Sequence, residues 1–438
     1  MPLNHPASQA SQQSENEDGM STYLDREKSF EEKDPDLGVD GGLTAWLVVV
    51  GAWCTSFCSF GWVNSVGIFQ NYYESHLLKQ YSSTTIAWIP SLQIFFMFAM
   101  GPIVGRLYDT FGARYLIIGG TFFHVFGLMM ASISKEYYQI LLSQGLCSAI
   151  GASAIFQPAL NAVSVWFNRK RGIAFATLST GSSVGGVIFP IMVDRLVAQV
   201  GFAWSMRISA FMILFLLAIA IVTVKARSPP QQGPKPSRDQ LVKPFKEPVF
   251  FLTLLGYMLL TYGVFIPINY VIVEAVASGM DADLAAYLVP MLNAASLFGR
   301  LSAGFMSDKY GRYNIFIVMC ILAGVLVLAL WIPAASTAPT IVFAIIFGFA
   351  SGAYVSLSPA LIAQISPLKE IGYRTGLLFL FASVGGLTTS PIAGAILQNG
   401  GGDYTHMKIF SGMMLLGGTG FIVAARFVKT GFKLAEKF

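Results

Sequence analysis

Charge is scarce in this chain of 438 residues. Only 12% of its residues are charged against 54% hydrophobic, and the mean hydropathy is +0.61. A water-soluble fold would leave too little polar surface to cover such a core. Cysteine and histidine are scarce too, at four each. Cys54, Cys58, Cys147 and Cys320 all fall inside apolar runs, where a thiol behaves as a small hydrophobe, so neither a disulfide framework nor a thiol active site is indicated. Cys54 and Cys58 share a helix face, yet no His or further Cys lies near them in sequence to complete a metal site. The chain also lacks a Gly-x4-Gly-Lys-Ser/Thr phosphate loop, a His-Glu-x-x-His pair and convergent carboxylates within its apolar runs. ATP-driven pumping and membrane-embedded catalysis therefore have no visible machinery, and no enzyme activity, metal, cofactor or nucleic-acid partner is expected. The short alternating segments of an outer-membrane barrel are missing as well.

What is present is a series of apolar runs of about 20 residues, the length a helix needs to cross a ~30 Å hydrocarbon layer. They predict helices near 43–69, 85–107, 115–134, 138–165, 172–193 and 205–224, then 249–273, 284–306, 314–332, 338–362, 373–396 and 408–427. The expected fold class is an all-α membrane protein of 12 transmembrane helices in two pseudo-symmetric six-helix bundles, 43–224 and 249–427. A Pro-rich linker, 225–248, joins them, an acidic and disordered tail, 1–42, precedes them, and a short tail, 428–438, follows. No apolar run precedes Leu43, so the first span itself is expected to direct insertion. Most Lys and Arg of the connections, including Arg169, Lys170 and Arg171, fall on the side that holds both tails and the linker, against Lys79, Lys135, Arg195, Arg207 and Lys408 on the other. Both termini are therefore expected in the cytoplasm.

The halves repeat each other. Asp109-Thr-Phe-Gly112 corresponds to Asp308-Lys-Tyr-Gly311, Pro158-Ala-Leu160 to Pro359-Ala-Leu361, and Ser183-Val-Gly-Gly186 to Ser383-Val-Gly-Gly386, each about 200 residues apart and in one order. Duplicated bundles related by an axis along the membrane normal are the arrangement of rocking-bundle transporters.

Gly105-Arg-Leu-Tyr-Asp109-Thr-Phe-Gly112-Ala-Arg114 and Gly304-Phe-Met-Ser-Asp308-Lys-Tyr-Gly311-Arg312 both resemble the cytoplasmic loop signature of the major facilitator superfamily. The resemblance implies a gating role for Gly105, Asp109, Gly112, Arg114, Gly304, Asp308, Gly311 and Arg312. The glycines permit close helix approach, and the carboxylates can accept from helix N-termini and arginines across the seam. Ordinary solvated loop charge is the alternative. Trp166-Phe-Asn-Arg169-Lys170-Arg171-Gly172, the following Gly181-Ser-Ser-Val-Gly185-Gly, and Asp40-Gly-Gly ahead of Trp46 are similar to the monocarboxylate porter branch, and the tail and linker lengths look most like its fungal members. Physically, Arg169 to Arg171 would anchor beside lipid phosphates, and the small residues of the fifth helix would pack tightly.

Arg300 is the leading site residue. It lies eight positions before Asp308 in the eighth span, about 12 Å deeper, where the first half has Gly101. A guanidinium at that depth needs water or an anion nearby; snorkelling to the inner face is the alternative. The porter resemblance implies that this arginine meets a substrate carboxylate. It also marks two departures: Asn64 stands where small-monocarboxylate carriers have a first-helix lysine, and Ser296 where they have a carboxylate one turn before the arginine. Neither lactate-like substrates nor proton symport carries over. Gln157, Asn161, Tyr262, Asn269, Asn293 and Tyr354 are further binding candidates, with Ser356, His124 and Trp62 behind them; for each, a helix-to-helix contact is the competing role.

The resulting expectation is a secondary active transporter in the cell membrane that works as a monomer and moves an organic anion or other small organic metabolite, with coupled protons left open. Export of a fungal secondary metabolite is preferred over uptake of a monocarboxylate or vitamin-like nutrient. A non-transporting nutrient receptor is the alternative of another class.

Overall fold

The computed structural model describes residues 40–225, 227, 238–334, 336–431, 433 and 436–438. Residues 1–39 of the acidic tail and residues 226 and 228–237 of the linker lie outside the described residues. Within them the secondary structure is helical throughout.

Eleven helical stretches are long and apolar enough to span a membrane. One of them, Arg171–Thr223, runs 53 residues, which as a straight rod would measure about 80 Å. It turns back at Gly201, whose φ of 78° is open to glycine at no steric cost. Cβ atoms placed on the first helix show the reversal: Gly51 abuts Thr223 and Ala220, whereas Gly61 abuts Gly185. The stretch is therefore two antiparallel spans. The twelve are α1 (Leu43–Gly61), α2 (Ser83–Phe111), α3 (Ala113–Ile133), α4 (Tyr137–Trp166), α5 (171–200), α6 (202–223), α7 (Pro248–Ala277), α8 (Ala282–Tyr310), α9 (Arg312–Trp331), α10 (Thr337–Ile365), α11 (Leu368–Asn399) and α12 (Thr405–Thr430). Each overlaps an expected run, with ends within five residues except that α1 stops eight residues short, at Gly61, and α5 runs seven residues longer, to 200. A short linker helix, Arg238–Lys246, was not anticipated.

The duplication shows in the proline positions, with Pro158 and Pro190 inside α4 and α5 matched by Pro359 and Pro391 inside α10 and α11. It shows again at the turns after α2 and α8, where Gly112 (φ 76°) and Gly311 (φ 100°) adopt left-handed backbone that side chains disfavour. Large apolar side chains point outward over much of the surface, among them Phe122, Phe215, Phe298 and Phe305, each more than 60% exposed. A water-soluble monomer does not expose apolar surface on that scale, but lipid solvates it.

Two charge assignments read from the sequence need correction. Arg171 does not sit beside lipid phosphates. It is buried, its Nε donating to the carbonyls of Ser164 and Phe167 and its Nη1 to Ala363 of α10 at 3.0 Å, because the start of α5 packs under the opposite bundle. Lys408 is not a loop base. It is buried at the start of α12 in an ion pair with Glu274.

Candidate functional site at the seam between the bundles

The bundles meet along two antiparallel helix pairs, α2 with α11 and α5 with α8. At the face that carries the linker, both pairs are latched by a carboxylate. Asp109 of α2 accepts from the backbone N–H of Gly372 and Tyr373 at 2.9 Å each. Asp308 of α8 accepts from those of Gly172 and Ile173 at 2.8 and 3.0 Å. Each acid thus caps the first turn of a helix in the other bundle, where unsatisfied N–H groups and the helix dipole favour an anion. Arg312 adds a 2.6 Å bond across the seam to the carbonyl of Asn168, while its Nη2 stays 3.6 Å from Asp308. Arg114 is exposed and joins neither latch.

Above the latches the helices touch through glycine. A Cβ on Gly105 would overlap the Gly372 carbonyl, one on Gly101 the Gly376 carbonyl, and one on Gly304 the Cβ of Ala176. The linker face is therefore shut.

Deeper in the protein the two seams stop resembling each other. In the α2–α11 pair, Phe98 stacks on Phe379 with centroids 5.6 Å apart, and Phe156 of α4 and Phe60 of α1 close an aromatic layer around them. In the α5–α8 pair the matching level holds Arg300. Its side chain does not snorkel but turns across the seam, Nη1 donating to the Ser179 carbonyl and the Ser182 hydroxyl of α5, while Nε donates to Ser296 of its own helix at 3.1 Å. Arg300 is 5% exposed, and among the described residues no carboxylate lies within ion-pair distance of it. The acceptors are all neutral. A buried cation held this way keeps much of its affinity for an anion, since charge-assisted bonds to an ionised acceptor are roughly twice as strong as those to neutral ones.

About 10 Å further along α8 from Arg300, Asn293 donates to Asn64, just beyond α1, at 3.1 Å and to Val289 O at 3.1 Å, with Gly186 of α5 close enough that a Cβ there would collide with the Asn293 amide. Asn64 sits in the turn between α1 and a further short helix, Val66–Tyr72, and its Nδ2 donates to Phe60 O at 2.7 Å.

The other expected site residues divide by partner. Tyr354 is satisfied inside the second bundle by Thr261 at 2.7 Å and stacks on Tyr257. Tyr262 bonds Thr388 at 2.8 Å, and Asn269 reaches Ser390 at 3.3 Å. In α4, by contrast, both amide atoms of Asn161 and the Oε1 of Gln157 are buried without a partner among the described residues. His124 is a satisfied core contact, its ring between Ser148 and the Cys58 carbonyl. Trp62 packs against Phe69 and Phe189 within the first bundle, its Nε1 unpartnered.

Sequence reasoning missed Ser179, Ser182 and the phenylalanine layer. Ser182 lies inside a motif quoted only for its small residues, and with 35 phenylalanines nothing in the pattern separates four at the seam from those facing lipid.

Twelve spans in two related bundles, joined at glycine-lined seams with reciprocal carboxylate latches, define a membrane transporter. The chain belongs to the Major Facilitator Superfamily, whose profile matches residues 51–347 and 279–437. It is 86% identical to the MFS transporter asaE of Aspergillus flavus, over 96% of this chain and 95% of that protein. It is 51% identical to the Fujikurins efflux protein of Gibberella fujikuroi, over 95% and 90%. Among solved structures, the E. coli fucose:proton symporter FucP superposes with a TM-score of 0.70 over 86% of this chain and 98% of that one, at 14% identity, a likeness of fold.

Proposed function

We propose that this protein is an exporter, loading an amphipathic organic anion of fungal secondary metabolism from the cytoplasm and releasing it outside by alternating access. The linker face is the cytoplasmic one in this reading, supported by the Lys and Arg concentrated there. The efflux role named for the Gibberella relative supports the direction. Similarity to the monocarboxylate porter branch adds the expectation of an anionic group on the solute. The chain acts as a monomer in the cell membrane, without catalysis.

The observation that carries this reading is the buried guanidinium of Arg300, which is compensated only by neutral oxygens at the boundary between the rocking bundles. Arg300 takes the solute's anionic group. Asn161, whose amide lacks a partner among the described residues while the linker face is shut, and Gln157, whose Oε1 does, supply neutral hydrogen bonds to a solute entering from that face. Asn64 and Asn293 receive it further out, where their amides already meet across the seam. Tyr262 and Asn269 line the second bundle's share of the path, and the phenylalanine layer accepts the apolar body. With Asn64 and Ser296 in place of titratable groups, proton coupling does not run through the positions used by the small-monocarboxylate carriers.

The test is flux. Proteoliposomes loaded with extract of an Aspergillus culture should lose a subset of solutes to the outside, identified by mass spectrometry, and that subset should consist of organic anions. Arg300→Ala should retain them. If no solute leaves, or if Arg300→Ala releases the same anions at the same rate, the assignment is wrong.

A further inference from the structure

Arg300 and its α5 partners break the molecule's internal symmetry together. The residue equivalent to Arg300 in the first half is Gly101, which packs on Gly376. The residues equivalent to Ser179 and Ser182 in the second half are Phe379 and Ala382, neither with a side-chain acceptor. Donor and side-chain acceptor are thus absent from the sister seam as a pair, although that seam closes just as tightly. Closure as such does not need them. The residue one turn before Arg300 on its own helix is the neutral Ser296, and among the described residues the guanidinium has no anion of its own. Its Nη1 turns instead to the other bundle, to the Ser179 carbonyl and to the Ser182 hydroxyl, which itself donates to Ser179 O at 3.0 Å.

We propose that Ser182 and the Ser179 carbonyl are a built-in substitute for the transported anion: they occupy Arg300 when the linker face is shut and give it up when that face opens and a solute anion binds. This rests on the reading of Arg300 as the solute's ligand and adds the step that empties it. Two neutral acceptors on α5 compete weakly with a carboxylate while the bundles are apart, because they are then out of reach. Once rocking brings α5 against α8 they become intramolecular ligands at high effective concentration, and the anion is displaced toward the outer side. A neutral substitute suits a site that must be vacated in every cycle. A carboxylate at the same position would hold Arg300 permanently.

The test uses the full chain in phosphatidylcholine nanodiscs, with Cys147 changed to Ser and spin labels placed through Tyr115→Cys on α3 and Lys369→Cys at the start of α11, both exposed on the linker face. Electron–electron resonance then reads the width of that face. Without solute, Ser182→Ala should raise the ratio of wide to narrow states on the order of tenfold, the effect of losing one charge-assisted bond. 4-Phenylbutyrate should widen the unmodified protein and should do so at lower concentration in Ser182→Ala. Its neutral amide should not widen either. Ser182→Asp should stay narrow at all concentrations of the anion. The solute-free comparison decides by itself: if Ser182→Ala has the distribution of the unmodified serine, the proposal is overturned, and a Ser182→Asp protein that still widens with the anion also overturns it. Arg300→Ala separates the two layers. If that variant responds to 4-phenylbutyrate as the unmodified protein does, the anion-ligand reading fails, whatever the serine variants show.

Discussion

Lys408 Nζ of α12 lies 2.7 Å from Glu274 Oε1 of α7, an ion pair enclosed within the second bundle. Trp331 of α9 completes it, donating to Glu274 Oε2 at 3.2 Å and accepting from Lys408 at its carbonyl at 2.9 Å. Three helices are pinned at one point near the end opposite the linker. Removing one charge leaves the other stranded in a low dielectric, so Lys408→Met should cost about 3–5 kcal/mol. The double change Glu274→Leu with Lys408→Met should cost much less. Thermal unfolding of the detergent-solubilised protein reads both, and a double change that cost more than Lys408→Met alone would show that the charges are not coupled.

The reciprocal latches make a paired prediction. Asp109→Ala and Asp308→Ala each remove two hydrogen bonds from a charged acceptor to helix-terminal N–H groups, a loss of about 2–4 kcal/mol from the shut state alone. Transport should fall at least tenfold with membrane insertion unchanged, and label distances across the linker face should widen to a similar extent in both. If either variant stayed narrow, that acid would be an ordinary loop charge.

Gly376→Ala should wedge the α2–α11 seam. The added Cβ would overlap the Gly101 carbonyl and come within 2.7 Å of Pro102 N. These are backbone atoms, which cannot swing aside, so the shut state should lose about 1–3 kcal/mol. Gly119→Ala on α3, where nothing lies within 4 Å, is the control and should leave transport and label distances unchanged.

Asp40 and Glu247, both outside the spans, have lowered pKa values. Burial pushes Asp40 up, but the N–H groups of Lys170, Arg169 and Asn168 and the charge of Arg169 outweigh it. For Glu247 the hydrogen bonds from Arg374, at 2.6 and 2.7 Å, dominate. A depressed carboxyl contributes stability that is complete above its unfolded value, about 4, and is lost as pH falls through the lower folded value. The stability gap between the natural chain and the Asp40→Asn, Glu247→Gln variant should therefore be constant from pH 5 to 8 and shrink below about pH 4. Melting curves across that range check it. A gap that closed near neutrality would assign the effect to other groups.

Much of the fold was legible because lipid imposes one rule on every span: backbone polar groups must pair within the helix, so length and hydropathy reveal it. The latches were legible because Gly112 and Gly311 need left-handed turns beside an acid, a local requirement that leaves a local motif. The break between the fifth and sixth spans was harder, since helical propensity continues on both sides and only Gly201 reverses the chain. Arg171 and Lys408 were misplaced for one reason. Loop position suggests solvent, but helix ends in this protein dive under neighbouring helices.

By itself the sequence determined a two-fold repeat of six apolar helices, an acidic latch in each half and one arginine where its twin has glycine. Those are properties of single helices, and hydropathy, turn geometry and spacing encode them. Tertiary structure alone decided that Asp109 and Asp308 cap the opposite bundle, that phenylalanines fill one seam, and that Arg300 faces Ser179 and Ser182 from 121 and 118 residues away. Which faces of two distant helices meet depends on packing of the whole molecule, and no segment of the chain carries that information on its own.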